Sequence, residues 1–177
     1  DVFVASIKVS LLTSIIVAAP FWIYQFWRFL EPGLYPQERK YILPFVVMSA
    51  ALFLTGIAFC FFIILPMSLK FLIGLGLEVG TPIITINDYI SLLMILLLGF
   101  GVVFETPIVL ILLAILDLVN VKQLVEDRKL VAIIVLILSA VLTPPDPLSQ
   151  ISMAIPVYLM YEISILIIRL IERKNNK

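Results

Sequence analysis

The sequence predicts an all-α membrane protein, a bundle of helices that crosses the bilayer several times. Of its 177 residues, 63% are hydrophobic, whereas a soluble domain has about 45–50%. The mean hydropathy is +1.20, and the apolar residues form runs of the length that crosses a hydrocarbon core of about 30 Å. Charged residues make up only 14% of the chain. We therefore expect a polytopic helical bundle that forms one transmembrane domain over residues 1–177.

Five apolar runs predict five spans. Pro20 should kink the first span, because its ring removes the backbone bond to the Ile16 carbonyl. Pro66 should end the second span, and the glycine-rich residues 68–88 should be irregular. The fourth run is only about 20 Å long at about 1.5 Å per residue, so it needs a thinned bilayer or supporting neighbours. The predicted spans cover residues of about 10–27, 41–65, 89–116, 130–142 and 148–170.

Positive charge lies mainly on one side of the predicted bundle. Ten of the twelve Lys and Arg residues fall in the segments 28–40 and 117–129 or between Arg169 and the C-terminus, while Lys8 and Lys70 fall on the other side. Cytoplasmic loops are enriched in Lys and Arg, so we expect the charged side to face the cytoplasm or its equivalent. Five spans with the first residue outside then suggest a further span upstream in the parent protein.

The residue inventory argues against several classes of function. The chain has no histidine, which removes the usual zinc sites and Ser-His-Asp triads. Its one cysteine, Cys60, lies inside an apolar run and cannot form an intrachain disulfide. The sequence contains no P-loop or other Gly-rich nucleotide motif. We therefore expect no cofactor and no enzymatic activity.

Glu105 is the clearest candidate for a functional residue inside the membrane. A lipid-facing carboxylate costs several kcal/mol at the bilayer centre, so this side chain must face the bundle or water, take a polar partner, or stay protonated. Pro107 cannot donate to the Val103 carbonyl, which leaves an acceptor nearby, and Gly99 and Gly101 allow close helix approach. Three roles are open for Glu105. It docks a partner helix, it binds a proton, or it forms a structural bond within its own bundle.

A polar turn lies between the fourth and fifth runs. Asp146 there is explained by a helix cap alone. Gln150 is an amide in the first turns of an apolar helix and needs a polar partner, for which Thr143 is a candidate. These residues indicate either a binding patch or a plain turn.

The segment FLEPGLYPQERK, residues 29–40, is the main polar break in the first third of the chain. Pro32 and Gly33 predict a turn, and Glu38 would lie in the first turn of the next helix, where the dipole stabilises an acid. A carboxylate there also matches the planar fork of an arginine. Aromatic residues before the turn are typical of membrane-interface anchors: Trp22, Trp27 and Phe29.

Three motifs connect these candidates. YQFWRFLEPGLYPQERK, GFGVVFETP and LTPPDPLSQ, in this order and spacing, resemble the TatC family, the multi-spanning core subunits of the twin-arginine protein translocase. The resemblance covers essentially the whole chain. It implies a concave bundle of six spans with both ends inside and a short last pair, of which this chain holds five.

The resemblance also implies a receptor. The family binds twin-arginine signal peptides of folded cargo at the cytoplasmic or stromal face, in a bacterial cytoplasmic membrane or a plastid thylakoid membrane. It exports that cargo with the proton-motive force and without ATP. The matching signal-peptide positions are Phe29, Pro32, Gly33, Leu34, Glu38 and Arg39.

A second set of positions is implied for partner subunits. The polar residues that contact the single-span partners TatA and TatB within an oligomeric complex match Glu105, Thr143 and Gln150. Two rival hypotheses remain at this point. A secondary transporter or channel would use Glu105 as an ion site, although we find no inverted repeat to support it. A purely structural membrane scaffold would bind no signal peptide.

Overall fold

The computed structural model describes residues 2–33, 42–79, 85–142 and 147–175, and this part of the chain is helical. A 3₁₀ turn at Glu31–Gly33 and a π-helical segment at Cys60–Ile64 interrupt the α-helices. The α-helices are α1 (Val2–Val17), α2 (Ala19–Leu30), α3 (Ile42–Phe59), α4 (Leu65–Val79), α5 (Ile86–Val103), α6 (Thr106–Ile115), α7 (Val121–Glu126), α8 (Arg128–Leu142) and α9 (Pro147–Asn175).

The helix lengths confirm an all-α membrane bundle. Three continuous segments of the described chain are long and apolar enough to cross a bilayer: Ile42–Phe71, Ile86–Ile115 and Gln150–Arg173. The pair α1 and α2 makes a fourth if it is counted as one bent span. Helix α8 has 15 residues, which is about 22 Å against a core of about 30 Å. The predicted fourth span, 130–142, therefore stays a prediction.

The first span is bent where proline predicts. Helices α1 and α2 meet at Ala18 with an angle of 55°, two residues before Pro20, whose missing N–H cannot bond the Ile16 carbonyl. The helix also starts at Val2, well before the predicted residue 10. Its early hydroxyls fit an apolar environment because each donates to the carbonyl four residues earlier, namely those of Ser6, Ser10, Thr13 and Ser14.

The second span does not end at Pro66, so that prediction is wrong. The helix passes through the π-helical segment, where the Leu65 N–H donates to the Cys60 carbonyl five residues back, and it then continues as α4 to Val79. A π turn shifts the bonding register by one residue, which accommodates the absent N–H of Pro66. Residues 68–79 are consequently helical where the sequence predicted irregular structure.

Packing between the helices brings distant segments together. Helix α3 packs on α2 and α5, α1 packs on α5, and α9 packs on α6 and α8. At the start of α1 and α5, Lys8 Nζ donates to Asn87 Oδ1 and to Ser91 Oγ, both at 2.8 Å. This lysine is half-buried, and its two bonds tie the first helix to the fifth.

Helix α6 ends in a Schellman motif. The Leu118 N–H donates to the Leu113 carbonyl at 3.0 Å, and the Asp117 N–H donates to the Ala114 carbonyl at 3.1 Å. Asp117 has a φ of 55°, a left-handed conformation that glycine usually supplies at this position. The sharp stop places the charged segment after α6 at the end of the bundle.

Candidate functional site

The turn after α2 presents an aromatic side chain to the surroundings. Phe29 lies in the last turn of α2 and is 79% exposed, and Pro32 in the following 3₁₀ turn is also exposed. Gly33 closes that turn. The remaining predicted signal-peptide positions lie outside the described residues: Leu34, Glu38 and Arg39.

Of the two tryptophans near this turn, Trp27 differs from the predicted anchor and Trp22 does not. Trp27 is 3% exposed, so its interpretation as an interface anchor is wrong. Its ring stacks on Phe45 of α3, with centroids 5.2 Å apart and an interplanar angle of 13°. Trp22 is 38% exposed, and its indole N–H donates to the Ile15 carbonyl at 3.2 Å. Burial of Trp27 puts its N–H inside the bundle, where a partner is required.

Ser49 is the direct partner of this N–H, and it links Trp27 to Glu105. The Trp27 Nε1–H donates to Ser49 Oγ at 3.0 Å, and Ser49 Oγ donates to Glu105 Oε2 at 2.6 Å. Ser49 is 1% exposed. This Trp27–Ser49–Glu105 chain joins the end of α2, the middle of α3 and the junction of α5 and α6. The sequence requirement that Glu105 take a polar partner is satisfied by a serine.

The second carboxyl oxygen of Glu105 has no partner. Oε1 is buried, and within the described part of the chain nothing donates to it or accepts from it. A buried polar atom left in this way costs about 1–3 kcal/mol. Among those same residues, no cluster of three acidic or cysteine side chains could hold a metal ion.

The helix break at Glu105 has its own local cause. Helix α5 ends at Val103 and α6 begins at Thr106, with Glu105 at the N-cap position of α6. The carbonyl that Pro107 frees is taken by a side chain, because Thr106 Oγ1 donates to the Val103 oxygen at 2.6 Å. The expected acceptor at Val103 is therefore occupied, and the atom at the break that lacks a partner among the described residues is Oε1 of Glu105.

Two glycines bring α3 close enough for Ser49 to reach Glu105. A Cβ on Gly101 would lie 2.6 Å from the ring of Phe53, and a Cβ on Gly56 would lie 2.8 Å from the Phe100 carbonyl oxygen. Neither distance is compatible with an added methyl group. The sequence predicted close approach at Gly101, whereas Gly56 in the opposing helix was missed.

Gln150, the third position predicted to contact partner helices, forms a hydrogen bond apart from that of Glu105. The Gln150 Nε2 amide donates to the Leu136 carbonyl of α8 at 3.0 Å, whereas Glu105 is bonded to α3. Thr143 lies outside the described residues. An apolar cluster of Val103, Val135, Ala154 and Val157 joins α5, α8 and α9. The common patch of Glu105, Thr143 and Gln150 stays a prediction.

A second polar network ties α7 and α8 to α9. Arg128 and Glu162 form an ion pair at 2.7 Å, and the Tyr158 hydroxyl donates to the other oxygen of Glu162 at 3.1 Å. The Tyr161 hydroxyl donates to the Leu124 carbonyl at 2.6 Å. Sequence analysis missed this network, although an acid inside the apolar run 148–170 was a usable signal.

The matched family is the one that the motifs suggest. The family described as "Sec-independent protein translocase protein (TatC)" matches residues 1–156. The TatC of Carboxydothermus hydrogenoformans is 41% identical over 175 residues, which cover 98% of this chain and 72% of that protein. The TatC of Aquifex aeolicus is 42% identical over 173 residues, which cover 97% of this chain and 72% of that protein.

Solved structures agree with the sequence matches. A crystal structure described as a twin arginine translocase receptor, TatC, in the detergent DDM superposes with a TM-score of 0.82 at 41% identity. The match covers 93% of this chain and 74% of that one. Sequence and fold thus agree over nearly the whole chain. The chain belongs to the TatC family of Sec-independent protein translocase proteins, integral membrane components of the Tat system that are not enzymes.

Proposed function

We propose that this protein is the core receptor subunit of a twin-arginine translocase. It binds twin-arginine signal peptides of folded cargo at the cytoplasmic or stromal face and scaffolds the single-span subunits TatA and TatB in an oligomeric complex. The proton-motive force, not ATP, drives export. The observation that carries the proposal is the buried and unpartnered Oε1 of Glu105, a polar group for which the described fold offers no bond.

The buried Oε1 of Glu105 supports the proposed docking of partner helices inside the membrane. A donor from a neighbouring helix reaches this buried atom only when the side chains that cover it move; it would then relieve a cost of about 1–3 kcal/mol, and such bonds are a recognised means of helix association in lipid. Gln150, half-buried on α9, and Thr143 supply further polar groups for the same partner helices. TatA and TatB are the proposed partners at these three positions.

The proposed signal-peptide site lies in the segment 29–40. Phe29 is exposed at its start and offers an apolar surface beside the turn formed by Pro32 and Gly33. Glu38 supplies the carboxylate that pairs with a guanidinium group of the peptide. Leu34 and Arg39 flank that carboxylate in sequence and complete the proposed site.

The peptide site is tested by photocrosslinking in the full-length protein. With a photoreactive residue in place of Phe29, Glu38→Ala should abolish crosslinking to a twin-arginine signal peptide while membrane insertion stays normal. Glu31→Ala is the matched control, since Glu31 lies in the same motif, and it should crosslink as strongly as the parent. Undiminished crosslinking in the Glu38→Ala variant would remove Glu38 from the site.

The partner site is tested by co-purification. Glu105→Ala should reduce recovery of TatA or TatB at least several-fold, because the partner loses its polar contact. Glu126→Gln is the control, since Glu126 is an exposed acid on α7. Equal recovery from both variants would assign Glu105 a structural role only. Solute flux through liposomes that contain this protein alone would instead support the transporter hypothesis.

The proposed orientation places the charged loops and the C-terminus on the cytoplasmic or stromal side. It rests on the unequal distribution of Lys and Arg. Cys60 is the single cysteine of this sequence and is buried, so Cys60→Ala removes the one native thiol of residues 1–177. A cysteine placed at Lys122 should react with a membrane-impermeant maleimide only from the cytoplasmic side. Labelling from the opposite side would invert the proposed topology.

A further inference from the structure

We propose that Trp27 and Ser49 are positioning residues for Glu105, and that the Trp27–Ser49–Glu105 chain couples occupancy of the signal-peptide loop to the intramembrane carboxyl. The inference rests on the proposed function for its ligand. Its geometric part, the orientation of Glu105 by Ser49, stands independently.

Trp27 connects the two helix ends that flank the loop, the end of α2 and the start of α3. Its carbonyl accepts the N–H of Glu31, the first residue of the turn, and its ring stacks on Phe45, one turn into α3, which begins at Ile42. The stacked pair therefore joins the helix that enters the loop to the helix that leaves it. A peptide that changes the separation or angle of these two helix ends must change the Trp27–Phe45 contact.

Each hydrogen bond in the Trp27–Ser49–Glu105 chain has a fixed donor and a fixed acceptor. An indole N–H can only donate, so Ser49 Oγ is the acceptor of Trp27. The Ser49 hydroxyl is then directed at Glu105 Oε2, and its oxygen is more polarised because it already accepts a bond. Trp27 and Ser49 are both almost fully buried, so water does not replace either bond. A displacement of Trp27 consequently reaches Glu105 through two contacts.

Orientation of the carboxyl is the physical consequence. With Oε2 held by Ser49, the rotation of the carboxyl group is fixed and Oε1 is the oxygen left without a partner among the described residues. Loss of the serine bond frees both oxygens and removes the preference for one of them. Signal-peptide binding that weakens or strengthens the chain would thereby alter what Glu105 offers to the neighbouring helix.

Infrared difference spectroscopy of the full-length protein in lipid nanodiscs tests both parts. The carbon–oxygen stretching band of Glu105 is identified by subtracting the spectrum of Glu105→Gln. Without peptide, Ser49→Ala should shift this band to higher wavenumber, because a hydrogen bond weakens the bond of the oxygen that accepts it. Trp27→Phe keeps the ring stack and should give a smaller shift in the same direction, and Ser49→Thr, which keeps the hydroxyl, should restore the parent band.

Matched controls exist for each variant. Trp22→Phe removes an indole N–H that bonds a carbonyl of its own span, and Ser164→Ala removes a buried hydroxyl that bonds the Met160 carbonyl. Both should leave the Glu105 band unchanged. A band that does not move in Ser49→Ala would overturn the positioning role, whatever the outcome with peptide.

Addition of a twin-arginine peptide tests the coupling. In the parent protein it should shift the Glu105 band, and in Trp27→Phe and Ser49→Ala this shift should fall at least twofold while peptide affinity stays within threefold. A full shift in both variants, or binding to the parent without any shift, would overturn the coupling. Failure of the peptide to bind the parent would refute the proposed receptor function and, with it, the coupling, while the peptide-free spectra still decide the positioning role.

Discussion

Substitution of Gly56 by alanine is the sharpest perturbation of the contact that holds Ser49 against Glu105. The new Cβ would lie 2.8 Å from the Phe100 carbonyl oxygen and 2.9 Å from Phe104 Cβ, whereas ordinary contacts begin at 3.4 Å. Because the nearest atom belongs to the backbone of α5, a side-chain rotation cannot relieve the overlap. Helices α3 and α5 must separate by about 0.6 Å, given that buried cores have little free space.

The expected magnitude follows from two opposing effects. Overpacking costs about 1–3 kcal/mol, and a backbone obstacle favours the upper part of that range. Alanine gains about 1 kcal/mol over glycine in helix propensity. We therefore expect a net loss of about 1–2 kcal/mol in unfolding free energy. The Ser49–Glu105 distance should lengthen from 2.6 Å toward about 3.2 Å, beyond the upper limit of about 3.0 Å for an O–H···O hydrogen bond.

The assay compares two glycine variants in detergent. Gly56→Ala should lower the unfolding midpoint of the full-length protein, whereas Gly74→Ala should leave it unchanged or raise it, because no atom of the described residues lies within 4 Å of a Cβ at Gly74. The Glu105 infrared band should shift in the Gly56 variant alone. Equal stability of the two variants, with an unshifted band, would refute the close-packing explanation of the site.

Three further substitutions test individual contacts, each by the unfolding midpoint in detergent. Asp117→Gly should stabilise the protein by about 0.5–1 kcal/mol, since glycine adopts the left-handed conformation without strain; a lower midpoint would mean that the aspartate side chain has a role of its own. Glu162→Gln should destabilise by up to about 1 kcal/mol, because the Arg128 pair is partly exposed and screened; no change would show that the pair contributes nothing to stability. Thr106→Val should cost about 1–3 kcal/mol by leaving the Val103 carbonyl unpaired beside Pro107; an unaltered midpoint would show that another donor replaces the threonine.

The fold was predictable where local physics decides it. Long apolar runs require helices in lipid because every backbone group must bond within its own segment. Pro20 bends the first span because it has no N–H to donate to the Ile16 carbonyl. Pro66 shows the limit of the same rule. The π turn at Cys60–Ile64, just before this proline, absorbs the missing bond, and such a turn depends on packing around Cys60 and Ile64 that no local pattern reveals.

The candidate site was predictable in part. Burial of an acid in an apolar run already requires a polar partner for Glu105, but the identity of Ser49 depends on the register between α3 and α5, which are separated by 56 residues at this contact. Trp27 shows the same effect. An aromatic residue near a span end is typical of an interface anchor, and only the position of Phe45 turns its ring into the bundle.

Crosslinking from position 29 to a pair of signal peptides tests the receptor claim most directly. One peptide carries consecutive arginines and the other consecutive lysines, so the two share charge and differ in the planar fork that pairs with a carboxylate. We predict strong crosslinking of the arginine peptide and at least a tenfold weaker signal from the lysine peptide in the full-length protein. Equal crosslinking of both peptides, or of neither, would contradict it.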